Sequence, residues 1–339
     1  MSVVTSSLDS GPGSLRDIVD NASSTLITFA PHIRLIQLCP IPLIITRTLT
    51  IDAGTGVTIR PMSGSVSTTP LVIIRATPQA FVTIRGLTMT QPTDDLINTP
   101  SVLSIESGCV TLDRCIICDC LVSESCLKVN SRTIIQNCIL LRNTSTTGSP
   151  IEINTPDVQI VGSQVQGNTG STCGAIKVCS GSASLLYLDI GHNTSSNGPS
   201  SLDIASSATT IDSCIVHHNT TSALAPISVA VSKPITNLAI LRNSSKSISG
   251  IHIAAAPSLS NLAIIDNRAT AVSKAYGAIT DESKTIPRSI ANCCIINNTQ
   301  HSIYIPSTGA VISSTTATGN TAGVCGPYDS DPTKPNYLS

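Results

Sequence analysis

Leu140-Leu-Arg-Asn143, Val165-Gln-Gly-Asn168, Ile190-Gly-His-Asn193 and Val216-His-His-Asn219 are one motif written four times. It continues in Ile240-Leu-Arg-Asn243, Ile264-Ile-Asp-Asn267, Ile295-Ile-Asn-Asn298 and Ala317-Thr-Gly-Asn320. The asparagines fall 25, 25, 26, 24, 24, 31 and 22 residues apart. A second series keeps step: Ile151-Glu-Ile153, Ile176-Lys-Val178, Leu202-Asp-Ile204, Ile227-Ser-Val229, Ile251-His-Ile253 and Ile303-Tyr-Ile305. Apolar-x-apolar triplets separated by Gly, Ser, Asn or Pro read as short strands with turns between them. A leucine-rich repeat shares the period but needs a Leu-dense consensus, and this one is Ile/Val-dense.

The expected fold is all-β: a single-stranded right-handed parallel β-helix, or solenoid, with rungs of about 25 residues and stacked strands. One rung cannot bury its apolar layer alone, so neighbours must cover it. The eight asparagines, Asn143, Asn168, Asn193, Asn219, Asn243, Asn267, Asn298 and Asn320, are expected to form a structural ladder. Asparagine tolerates the left-handed region, so they are also expected to turn the corners. Ser14-Leu-Arg-Asp17 carries a helix-start pattern with Ser14 as N-cap, predicting a short capping helix over 14–21. The organisation expected is a segment and cap at 1–25, the β-helix at 26–322 and a frayed polar tail at 323–339.

Composition supports strands. Of 339 residues, 41% are hydrophobic and 12% charged, with a net charge of −1 and no Trp. No basic excess exists for nucleic acid, and aromatic platforms for bases or sugars are scarce. The opening Met1-Ser-Val-Val-Thr-Ser-Ser lacks a basic or apolar leader, and no run reaches the roughly 20 apolar residues of a membrane span. Thirteen cysteines include one isolated Cys115-Ile-Ile-Cys118. Cys115 and Cys138 sit at matching rung positions, so they are expected to be buried, stacked and reduced rather than metal-binding.

The opening Asp9-Ser-Gly-Pro-Gly-Ser-Leu-Arg16, with Leu26-Ile-Thr-Phe29 and Leu49-Thr-Ile51-Asp52, resembles the start of right-handed parallel β-helix surface proteins of the pectate-lyase-like superfamily. Cys173-Gly-Ala-Ile176, Tyr276-Gly-Ala-Ile279 and the x-x-Asn series resemble the rungs of chlamydial-type polymorphic membrane proteins, with Phe replaced throughout. The resemblance implies a surface adhesin.

Polysaccharide chemistry would need carboxylates converging on a groove. Asp94-Asp95 reads as a solvated turn, and Asp189, Asp203 and Asp212 read as differently placed on their rungs. His192, His217 and His218 precede corner asparagines and read as exposed. No catalytic residue, cofactor or metal is expected. The expected function is therefore a non-catalytic structural or adhesive surface protein, not an enzyme, located outside the cell or on a cell or virion surface. Its expected partners are other proteins or surface glycans. The alternative is a polysaccharide lyase or glycoside hydrolase on the same fold.

Overall fold

The computed structural model describes the chain except residues 22, 64–66, 92–98, 224, 256, 272–276, 282–287, 300, 305–309, 321, 326–328, 331–336 and 339. One rung illustrates the rest. Strands Val158–Val161, Gln164–Gln166, Thr169–Gly170 and Ile176–Val178 follow one another around a coil. The chain then returns to Ala183–Leu186, directly beside the first strand, pairing Val158 with Ala183 in parallel. Repetition gives a parallel β-solenoid of about 11 turns. Among the described residues its strands form sheets of 25, 12 and seven strands.

The two-residue period of a strand decides what faces inward. In Val158–Val161, Val158 and Ile160 are buried while Gln159 is exposed. The register is kept from rung to rung, so like side chains stack. Val165, Ile190, Val216, Ile240, Ile264 and Ile295 form one internal column, and Ile151, Ile176, Leu202, Ile227 and Ile251 another. All eleven are fully buried. These columns are the two series legible in the sequence.

The corners differ from expectation. The ladder asparagines do not adopt the left-handed region; the residue before each of them does. Arg142, His192, His218, Arg242, Asp266 and Asn297 have φ between 53° and 58°, and Gly167 and Gly319 occupy the same place. A second left-handed corner per rung falls at Arg114, Asn137, Gly162, Tyr187, Ser213, Asn237, Asn261, Asn292 and Ser314. The reason is geometric. One left-handed residue between two strands turns the chain sharply, and the side chain after it points inward and is buried.

The helix spans Leu15–Asn21 and buries Leu15, Ile18 and Val19. Ser14 Oγ accepts from the Asp17 amide at 3.2 Å, closing the N-terminal turn. Arg47 donates to the carbonyls of Ile18, Val19 and Ser24, engaging backbone acceptors at the other end. The Asp9–Arg16 segment is pinned by an ion pair at 2.9 Å between two mostly buried side chains. Arg16 also donates to the carbonyls of Ile41 and Pro42.

Strands also occur in both end segments. Strand Ser2–Val4, ahead of the helix, pairs with Leu26–Phe29, so sheet structure begins within the N-terminal segment that also holds the cap. The expected tail at 323–339 holds strands Ala322–Cys325, Asp329–Ser330 and Tyr337–Leu338, each paired with the preceding rung. Their spacing departs from the repeat, which concealed them in the sequence.

Candidate functional site

The eight asparagines meet inside the solenoid. From Asn168 to Asn320, each Oδ1 accepts from both the backbone amide and the Nδ2 of the asparagine one rung earlier, at 2.8–3.1 Å. Each Nδ2 also donates to a strand carbonyl of the preceding rung, at 2.8–3.0 Å. The row begins at Cys120, whose amide donates to Asn143 Oδ1. Both amide protons and the oxygen are therefore used, as burial demands. Four asparagines in N-x-S/T sequons, Asn143, Asn193, Asn219 and Asn243, are 0–1% exposed, which removes them as glycan acceptors in the folded chain.

Cys115 and Cys138 are buried neighbours in a column continued by Ser163, Leu188 and Cys214. Cys138 donates to the carbonyls of Leu112 and Gln136. Its hydrogen bond with Cys115 and its burial push this thiol up. Burial likewise lifts Cys126 and Cys173 to about 12. Thiols in this state are poor nucleophiles and poor metal ligands.

On the outer face most described carboxylates are engaged by a side chain, commonly from a neighbouring rung. Arg142 binds Asp119 in a fork at 2.6 and 2.8 Å, and this contact holds the Asp119 carboxyl below its ordinary value. Arg75 holds Glu106 at 2.6 Å, and Thr236 and Asn237 donate to Asp212. Arg242 lies 3.6 Å from Asp266. Asp94 and Asp95 lie outside the described residues, as do Tyr276 and Glu282.

One column went unnoticed in the sequence. Lys128, Glu152, Lys177 and Asp203 stand in register on four successive rungs, alternating in charge. Burial raises the Asp203 carboxyl, with Lys177 opposing it. The signal was present in the Ile-x-Ile series, whose middle residue is the outward one; comparing aspartates alone missed Glu152.

The structure also gathers the three histidines. His192 and His218 are the left-handed corners of successive rungs, and His217 precedes the second. Rings 192 and 218 stack with centroids 5.0 Å apart, and ring 217 meets both edge-on at 5.4 and 5.3 Å. Gly191 stands in register with His217, and a Cβ there would overlap the imidazole. His217 Nε2 lies 2.8 Å from Asp189 Oδ1, while Asp189 Oδ2 accepts from Gln166 at 2.7 Å. Burial, then the charges of His192, His217 and Arg242, hold His218 below the ordinary imidazole value. Counting Gly191 as the space for a ring would have revealed the cluster.

No family model matches the chain, and no curated protein matches it. Solved structures give fold-level likeness at low scores. The surface adhesin PfbA of Streptococcus pneumoniae is 11% identical over 96% of this chain and 87% of its own, with a TM-score of 0.39. The A-module of the mannuronan C-5 epimerase AlgE6 of Azotobacter vinelandii is 10% identical over 93% and 98%, with a TM-score of 0.37. Tailspike protein 3 of bacteriophage CBA120 is 9% identical over 95% and 57%, with a TM-score of 0.39. Among the described residues, no helix is long and apolar enough to cross a membrane.

Proposed function

We propose that the protein is a non-catalytic scaffold, structural or adhesive, displayed at a cell or virion surface. The observation carrying this reading is the engagement of outer-face carboxylates by neighbouring side chains, as in Asp119 with Arg142 and Glu106 with Arg75. Sugar hydrolysis needs one carboxyl protonated and one free to act as base or nucleophile. A carboxylate held by a guanidinium is poorly suited to the acid role. Adhesion needs only a rigid, extended face, and stacked rungs supply one. The partners this face would meet are other proteins or surface glycans.

A second reading has one specific observation behind it. Glu152 and Asp203 share an outward column two rungs apart. Strand spacing puts their backbones roughly 9.6 Å apart, close to the separation of inverting glycosidases. The raised Asp203 suits a general acid. Purified protein incubated with a polysaccharide panel separates the two readings. The scaffold reading expects no new reducing ends and no unsaturated products. Turnover that Asp203→Asn abolishes would overturn it.

A further inference from the structure

We propose that His192, His217 and His218 bind a divalent transition-metal ion of the zinc type, with Asp189 as the positioning residue for His217. One ligand nitrogen from each histidine lies within 4.8 Å of the others. Tetrahedral bonds of about 2.0–2.1 Å require ligand nitrogens roughly 3.3 Å apart. His217 Nδ1 and His218 Nδ1 already stand at 3.0 Å. Side-chain rotation at the exposed corner residues His192 and His218 closes the remaining gap. Three imidazoles suit zinc, copper and nickel, and leave a position open to water.

The surroundings match what metal-binding histidines need. A ligating imidazole donates its second N–H to a carboxylate, which fixes its tautomer and orientation. Asp189 does this for Nε2 of His217, so that Nδ1 keeps its lone pair and faces His218. Gln166 in turn fixes Asp189. Three successive rungs thus supply a ligand, a partner for the ligand and a partner for that partner. Gly191 supplies the space in which the His217 ring lies. Solvated corner histidines require none of this order.

Zinc titration of the chelator-stripped full chain by calorimetry tests the proposal, with Co²⁺ absorption as a second readout. The expected result is one saturable equivalent, weakened at least tenfold in both His217→Gln and His192→Asn. Asparagine tolerates the left-handed corner at 192, and His217 is a partly exposed strand residue whose side chain glutamine can replace without a change of backbone, so both variants should keep the parent circular dichroism and metal-free melting point. Asp189→Asn should weaken binding roughly 10–100-fold without changing the metal-free melting point. Cobalt should show d–d bands without thiolate charge transfer, separating this site from the cysteines. No saturable uptake up to millimolar zinc, uptake unchanged in the histidine variants, or a thiolate spectrum would each overturn the proposal.

Discussion

Asn219 shows what one ladder residue carries. Its Oδ1 accepts two protons from Asn193, and its Nδ2 donates to Ile190 and Asn243. Asn219→Ala leaves the buried Asn193 amide and the Ile190 carbonyl without these partners. The expected loss is about 1–3 kcal/mol, read from denaturant midpoints. Asn320→Ala should cost less, because that side chain is only half buried and no further ladder asparagine covers it. A midpoint unchanged in Asn219→Ala would reject the ladder. Asp203 yields a pH prediction. Its folded pKa is raised, so its favourable contribution is present below the unfolded value of about 3.9 and lost as pH rises through the folded value. Asp203→Asn should therefore melt above the parent at pH 7, with the gap closing near pH 3. A lower melting point at pH 7 would show that Lys177 outweighs burial. The asparagines could be read in the sequence because one residue type recurs at a fixed interval. The histidine cluster is harder to read, since it shows only when His217 is paired with a glycine one rung away.

At the scale of the element, a corner is a left-handed residue followed by a buried one. The buried position follows a pattern, whereas the left-handed position holds Arg, His, Asp, Gly, Tyr, Asn or Ser and leaves no recurrent trace in the sequence. This is why the strands were legible and the placement of the turn was off by one residue. Tyr187 sits at such a corner with φ 56° and is 63% exposed, so it carries strain with little burial in return. Tyr187→Asn should gain up to about 1 kcal/mol in chemical denaturation. At the equivalent place one rung earlier, Gly162→Ala should lose about 1 kcal/mol. There a Cβ would sit at φ +58° and press on Asn137 Oδ1. Equal midpoints for the two variants would show that these corners store no strain. The helix was legible from Ser14 and Asp17 because an N-cap is a local signal. The strand before it was not, because Ser2–Val4 is too short to show a period.

Across the whole molecule, each rung is bonded to the rungs on either side and to little else, so stability propagates along one dimension. The interior couples rungs twice, through aliphatic columns and through the asparagine row, while the outer face carries charge pairs that contribute little individually. This internal coupling supplies the rigid face that the scaffold reading requires. Backbone amide hydrogen exchange reads it directly. The amides of Asn168, Asn193, Asn219 and Asn243 donate to side-chain oxygens of the next rung rather than to a backbone carbonyl. In native protein they should exchange as slowly as the amides of the central strands, opening only with the rung itself. In Asn219→Ala the Asn193 amide alone should lose most of its protection. Exchange of these four amides at the rate of exposed loops in the parent protein would contradict the account.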